Sequence, residues 1–212
     1  MTTKRVMTRH CPSLFDKNKS NETYNYLRDH IQWEEGVRSR SGFTRLAKSL
    51  DPGDNRMIDD ILSEAMKKLN LEGEYDILGI YLNYYRDGTH HTPSHSHKGM
   101  TQLVISLGAT RILKVGKKDY QMSNGDVIIF GSSAHAVPPE PSIIDGRISI
   151  ATFMQPCTAN NIYMTEDNLL KIGNIDDKIS IANFMQPCTA NNIYMTEDDL
   201  LEIVKQLSLT EK

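Results

Sequence analysis

The sequence lacks the features that would mark it as a secreted or membrane protein. Its three cysteines, Cys11, Cys157 and Cys188, are an odd number, and the last two are copies of one another in a repeated segment, so they imply no disulfide framework. No apolar run approaches the roughly 20 residues of a membrane-spanning helix. The first 15 residues contain no apolar stretch of the kind that secretory signals carry. We therefore expect a cytoplasmic or nuclear protein that is not secreted and has no membrane partner.

A large excess of charge of one sign is absent as well. The 24 Lys and Arg residues are opposed by 27 Asp and Glu residues, which gives a net charge of −3. This balance does not predict the strongly basic surface typical of nucleic-acid-binding proteins. Arg38, Arg40, Arg45 and Lys48 nevertheless surround Phe43. This segment is either a solvated loop surface, which is the simpler interpretation, or a local basic patch.

The hydrophobic pattern divides the 212 residues into a helical beginning and a β-rich remainder. Residues 21–33 predict a short helix capped by Ser20 or Asn21, and residues 56–71 repeat apolar side chains at the three-four spacing of one helix face. Short β-rich runs then alternate with turn residues, at 77–85, 102–107, 110–115, 119–122, 126–130 and 148–153. We expect an α+β, mainly β fold, a double-stranded β-helix or jelly-roll barrel buttressed by N-terminal helices.

A tandem repeat covers the C-terminal part of the chain. Residues 148–172 recur at residues 179–203, with 22 of 25 positions identical. A barrel has one position for this strand, so the two copies compete for it. The first copy needs a connection of about 12 residues from His135, and the second needs about 43. The longer loop costs roughly 1 kcal/mol more to close.

We therefore expect the first copy to complete the barrel. The expected organisation is one jelly-roll domain at residues 1–172, followed at residues 173–212 by an appended copy of the last strand-helix unit. The appended copy would pack on the outside or exchange with a neighbouring molecule, which makes the protein a monomer or a strand-exchanged dimer.

A cluster of histidines predicts a metal centre. Four of the seven histidines lie between residues 90 and 97, and we assign His90 and His91 to a loop. His95 and His97 alternate as residues on one face of a strand do, and a later strand can bring His135 to them. Three ligands on one side of an ion leave positions open for a cosubstrate and dioxygen. Arg147 supplies a cation for a cosubstrate carboxylate.

Residues of about 76–155 resemble the AlkB-like iron(II)/2-oxoglutarate dioxygenases. The elements that carry the resemblance occur in the same order, and they are Asn83, Tyr85, Gly88, His95, His97, residues 106–108, Gly125, Asp126, His135, and residues 147–149. The resemblance implies that His95, His97 and His135 form the catalytic iron site. It also implies that Asn83, Tyr85, Arg147 and Ser149 form the 2-oxoglutarate site.

Three positions depart from the pattern of that family. His97 stands where the family has a carboxylate, Ser149 where it has Asn, and Phe153 where it has a second Arg. A site of three histidines carries one less negative charge, so metal binding and redox tuning should differ. The alternative is that His97 points away and leaves two ligands.

The resemblance implies an enzyme that uses Fe(II), 2-oxoglutarate and O₂ to hydroxylate or oxidatively demethylate a substrate. The favoured substrate is an alkylated nucleic-acid base, which must leave the base stack to react. Three alternatives stay open. The first is a cupin-type three-histidine dioxygenase that needs no 2-oxoglutarate, and here Gln102 lies near the position of the cupin Glu ligand. The second is a 2-oxoglutarate-dependent hydroxylase of protein side chains. The third is a non-catalytic metal- or nucleic-acid-binding module. Asn83, Tyr85, Gly88 and Arg147 favour the use of 2-oxoglutarate.

Overall fold

Two antiparallel β-sheets form the part of the chain that carries His95 and His135. The computed structural model describes residues 7–35 and 45–157, together with short strands at 162–163 and 194–195. The larger sheet has the strand order β1-β9-β6-β11-β4-β3-β2, and the smaller one has the order β5-β10-β7-β8. The strands are β1 (Arg9–Cys11), β2 (Glu34–Glu35), β3 (Leu46–Leu50), β4 (Tyr75–Tyr85), β5 (Thr92–His95), β6 (Thr101–Gly108), β7 (Arg111–Val115), β8 (Lys118–Met122), β9 (Val127–Phe130), β10 (His135–Val137) and β11 (Arg147–Pro156).

Two helices, α1 (Lys17–His30) and α2 (Arg56–Lys68), share one hydrophobic core with the larger sheet. The sequence pattern placed the start of α1 four residues too late. Asp16 is the N-cap, because its side chain accepts a hydrogen bond from the Lys19 amide, while the Ser20 hydroxyl donates to the Asp16 carbonyl inside the helix. Helix α2 ends earlier than expected because Asn70 adopts a left-handed conformation with φ of 54°. Neither of these two helices is long and apolar enough to cross a membrane.

Strand β11 lies in the middle of the larger sheet and belongs to the first copy of the repeat. It pairs with β4 on one side and β6 on the other. Successive side chains of a strand point to opposite faces, so the side chains of β11 lie in two different environments. Ile148, Ile150 and Met154 enter the core shared with the helices, whereas Arg147, Ser149, Ala151 and Phe153 line a cavity.

The chain divides into two compact units, Met1–Pro156 and Cys157–Lys212. In the second unit, β12 (Ile162–Tyr163) pairs with β13 (Tyr194–Met195). The register sets Tyr163 opposite Tyr194, the equivalent residue of the other repeat copy. The predicted domain boundary at residues 172 and 173 and the predicted helix of each repeat copy lie outside the described residues. The strand-exchanged dimer stays a prediction.

Deletion of residues 173–203 tests the role of the first copy. The eleven strands that the structure describes in the first unit, β1 to β11, include only the first copy of the repeat and precede residue 157. We therefore expect the shortened protein to unfold cooperatively in urea and to bind Mn(II) as tightly as the full chain. An insoluble product, or one that has lost Mn(II) binding, would contradict the assignment of the first copy to the barrel.

Candidate metal centre

A cavity of about 270 Å³ has walls from both sheets of the first unit. All seven residues that the sequence selected line it: Asn83, Tyr85, His95, His97, His135, Arg147 and Ser149. They come from strands β4, β5, β10 and β11 and from the segment just after β5. Residues far apart in sequence therefore meet in one pocket, and His90 and His91 are not among those that line it.

Three histidines converge at one end of the cavity. His95 ends β5 and lies directly opposite His135 of β10 in the antiparallel register. The sequence placed His97 on the same strand as His95, but β5 ends at His95 and His97 follows it. The ligand nitrogens of the three residues all lie within 4.8 Å of one another, close enough for one ion to contact all three. His97 therefore points toward the other two histidines, not away from them.

Backbone carbonyls fix the orientation of two of these rings. Nδ1 of His95 lies 2.9 Å from the Pro93 carbonyl oxygen, and Nδ1 of His135 lies 3.1 Å from that of Ser133. A carbonyl oxygen only accepts, so each Nδ1 donates and each Nε2 keeps a lone pair for a metal. His97 makes no such contact with the described residues, and its ring packs against Phe153 with a centroid distance of 4.8 Å.

Burial keeps two of the rings neutral. It lowers the pKa of His135 to about 4, with a smaller contribution from the nearby His95 and His97, while the bond to the Ser133 carbonyl opposes the shift. Burial also lowers the pKa of His97, and the neighbouring His95 adds to this effect. Metal binding requires the neutral imidazole, so both rings are ready to bind at neutral pH.

Arg147 presents unused hydrogen-bond donors within the same cavity. Its side chain is 1% exposed, Nε donates to Ser106 Oγ at 2.9 Å, and the guanidinium lies 5.4 Å from the centre of the Tyr85 ring. Nη1 and Nη2 are buried without a hydrogen-bond partner in the described ranges. A buried cation with free donors is costly unless an anion meets it, and a carboxylate can accept from both nitrogens at once.

Asn83, Ser149 and Tyr85 already have protein partners. Asn83 Oδ1 accepts from Arg45 Nε, and Asn83 Nδ2 donates to Ser149 Oγ at 3.3 Å. The Tyr85 hydroxyl lies 2.7 Å from Thr92 Oγ1. These bonds hold the polar wall in place around Arg147, so a ligand would meet a largely preformed surface.

Arg45 also belongs to this wall, which the sequence does not predict. The sequence pattern indicates a solvated loop or a basic patch for Arg45 and Lys48, but Arg45 is 8% exposed and lines the cavity. Lys48 lies on β3 and forms an ion pair with Glu34. Arg38, Arg40 and Phe43 lie outside the described residues. The only signal for Arg45 in the sequence was its position directly before the buried pair Leu46 and Ala47.

The loop between β4 and β5 owes its shape to a second buried arginine. Arg111 donates to the carbonyls of Asp87, His90 and Pro138 and forms an ion pair with Glu140. Gly88 fits only because it lacks a side chain, since a Cβ there would lie 1.8 Å from the Glu140 carbonyl oxygen. The glycine three residues after Tyr85 is thus a structural part of the motif.

Comparison with known proteins identifies the fold. No protein-family model and no curated protein matches the sequence. Several solved structures are similar. A Pseudomonas putida prolyl-4-hydroxylase matches with a TM-score of 0.54 and 14% sequence identity, over 70% of this chain and 92% of that one. A Burkholderia pseudomallei oxidoreductase of the 2OG-Fe(II) oxygenase family (TM-score 0.52, 15% identity) matches over 70% of this chain and 84% of its own, and OsALKBH1 (TM-score 0.52, 16% identity) matches over 72% and 100%. The chain has the fold of the 2-oxoglutarate/iron(II) oxygenases. The likeness extends to several branches of these oxygenases and does not single out the AlkB-like one.

The low pKa of His135 predicts that acid destabilises the metal-free protein. An unfolded chain binds a proton at this histidine below its ordinary pKa of 6.5, whereas the folded chain binds it only near pH 4. The contribution of neutral His135 to stability is therefore complete above pH 6.5 and is lost as the pH falls from 6.5 to 4. Urea unfolding at a series of pH values should show a shallower decline for His135→Phe. The exposed His30→Gln variant is the control, and an unchanged decline in His135→Phe would refute the prediction.

The free donors of Arg147 predict opposite effects on stability and on binding. Arg147→Met should unfold no more easily than the wild type, because it removes a buried cation without an anion. On the expectation that the cavity takes 2-oxoglutarate, the affinity of Arg147→Met for it should fall at least about 30-fold, as when one partner of a buried charge pair is truncated. Arg111→Met is the matched control and should be clearly less stable, because the donors of Arg111 are in use. Equal destabilisation of both variants, measured by urea unfolding, would show that Arg147 is structural.

Proposed function

We propose that this protein is a 2-oxoglutarate-dependent iron(II) oxygenase that hydroxylates or oxidatively demethylates its substrate. The observation that carries the proposal is the presence, in one cavity, of three converging histidines and of two free donors on the buried Arg147. The first arrangement fits a divalent metal, and the second fits a carboxylate. A 2-oxo dicarboxylate has a group for each, and the fold is one that hosts this cosubstrate.

Each residue of the cavity has a definite role in this proposal. His95, His97 and His135 would hold Fe(II), and Arg147 would hold the far carboxylate of 2-oxoglutarate, framed by Asn83, Tyr85 and Ser149. Together, iron and 2-oxoglutarate would supply the oxidation, in which one atom of O₂ enters a substrate C–H bond and the other enters succinate as CO₂ is released. A hydroxylated N-methyl group would then break down to formaldehyde and the free amine.

The charge of the ligand set also suits this cosubstrate. Three neutral imidazoles leave the full double charge on Fe(II), and the 2-oxoglutarate dianion would neutralise it. A carboxylate ligand in place of His97 would already have cancelled one of these charges. We therefore expect the cosubstrate to stabilise the bound metal more strongly here than in a site with a carboxylate ligand.

Our finer proposal is that the substrate is an alkylated nucleic-acid base. It is supported by the order and spacing of the motifs shared with the AlkB-like enzymes. The competing proposal, hydroxylation of a protein side chain, is supported by the structural likeness to a prolyl-4-hydroxylase. A cupin-type enzyme that needs no 2-oxoglutarate would have no use for the free donors of Arg147.

Turnover of labelled 2-oxoglutarate tests the proposed activity. The iron-loaded protein should convert it to succinate and CO₂, and His97→Ala should lose this activity while His97→Asp, which restores a carboxylate ligand, should keep it. His91→Ala is the control, since His91 does not line the cavity and its Nδ1 lies against the Thr89 carbonyl. Absence of succinate with every variant would contradict the proposal, and O₂ uptake without loss of 2-oxoglutarate would point to the cupin-type alternative.

The reaction products distinguish the two proposed substrate classes. Formaldehyde release from methylated oligonucleotides would support the base as substrate. A gain of one oxygen atom on a peptide, without formaldehyde, would support the protein hydroxylase instead.

A further inference from the structure

Gln102 carries an unused hydrogen-bond donor in the cavity wall. Its side chain is 2% exposed, and Nε2 is buried with no hydrogen-bond partner among the described residues. An amide nitrogen left without a partner in a protein interior costs free energy. Like the free donors of Arg147, it therefore marks a place where a bound molecule completes the hydrogen bonding.

The position of Gln102 in the sheet puts it at the metal end of the cavity. It lies on β6 directly opposite Phe153 of β11 on one side and Phe130 of β9 on the other. Phe153 contacts the His97 ring at 4.8 Å, and Phe130 contacts the His135 ring at 5.0 Å. Gln102 is thus flanked by the two aromatic side chains that pack against two of the three histidines.

Arg147 lies at the opposite end of the same strand pair. It is paired in register with Gly108, six residues from Gln102 along β6. At about 3.3 Å per residue, this separates the two backbone positions by roughly 20 Å. The Arg147 side chain shortens this distance because its Nε donates to Ser106, which lies on β6 only four residues from Gln102. The free donors of Arg147 are therefore placed for the far carboxylate, and Nε2 of Gln102 is placed for the group that binds beside the histidines.

We propose that Gln102 Nε2 donates a hydrogen bond to the 2-oxo-acid end of 2-oxoglutarate at the metal, and so acts as a binding residue for the cosubstrate. The inference rests on the proposed function. The two aromatic neighbours of Gln102 offer no donor, and the carboxylate beside the 2-oxo group is the part of the cosubstrate that must lie next to the histidines. A neutral amide donor there holds that carboxylate without adding a second cation close to the metal.

Binding of 2-oxoglutarate to the Mn(II)-loaded full chain, measured by calorimetry, tests this role without activity. Gln102→Met keeps the size of the side chain but removes the donor, and it should weaken 2-oxoglutarate binding about 10-fold or more. Its affinity for Mn(II) alone should equal that of the wild type. Gln121→Met, the same change at an exposed position, is the matched control. Gln102→Glu is a second variant that keeps the shape and should weaken binding further, because its carboxylate repels that of the ligand.

The possible outcomes separate this inference from the proposed function. If the wild type binds 2-oxoglutarate and both Gln102 variants bind it equally well, the role of Gln102 is refuted and the oxygenase proposal stands. If Mn(II) affinity falls together with 2-oxoglutarate affinity, Gln102 acts through the histidines and the inference is again refuted. If the wild type itself does not bind 2-oxoglutarate, the oxygenase proposal and the inference both fail.

Discussion

The backbone pairing of β11 between β4 and β6 is the constraint on which the candidate site depends. The ladder of hydrogen bonds fixes the register, and the register decides which side chains face the cavity. A shift of one residue would turn Arg147 and Ser149 toward the helices and expose Ile148 and Ile150 to the polar cavity. The burial of those isoleucines in the core shared with the helices therefore also holds the arginine in place. Packing on one face of the strand determines the chemistry available on the other.

The cavity holds two sets of polar groups that ligands would complete. Burial, with a smaller contribution from the neighbouring imidazoles, disfavours protonation of His135 and His97, so their rings are neutral. Arg147 and Gln102 hold donors that no described residue accepts. A divalent metal would bind the neutral imidazoles, and a carboxylate-bearing cosubstrate would accept from the free donors. Arg111, which is equally buried, shows the contrast, since Glu140 and several loop carbonyls satisfy it and it shapes the β4–β5 loop.

The strongly periodic segments were predictable from sequence, and the burial of individual polar side chains was not. Helix α2 and strands β4, β6 and β11 follow from apolar spacing alone, with ends displaced by at most three residues. The motif spacing also selected seven residues that share one cavity. Arg45 was misassigned because its burial depends on the pairing of β3 with β4, a contact between residues 38 positions apart. The sequence indicates Gln102 only by its position near the Glu ligand of the cupin pattern, because no local pattern shows that a side-chain amide lacks a hydrogen-bond partner.

In the proposed function, the three histidines and Arg147 form one site that binds Fe(II) and 2-oxoglutarate together. Titration of the Fe(II)-loaded protein with 2-oxoglutarate under anaerobic conditions, followed by visible absorption, tests whether the two bind at one site. We expect a charge-transfer band of the iron-bound 2-oxo acid that saturates at one equivalent. Glutarate, which lacks the 2-oxo group, should give no band, and His135→Ala should abolish the band. A wild type without the band, or a band that persists unchanged in His135→Ala, would show that the histidines and Arg147 do not form such a site.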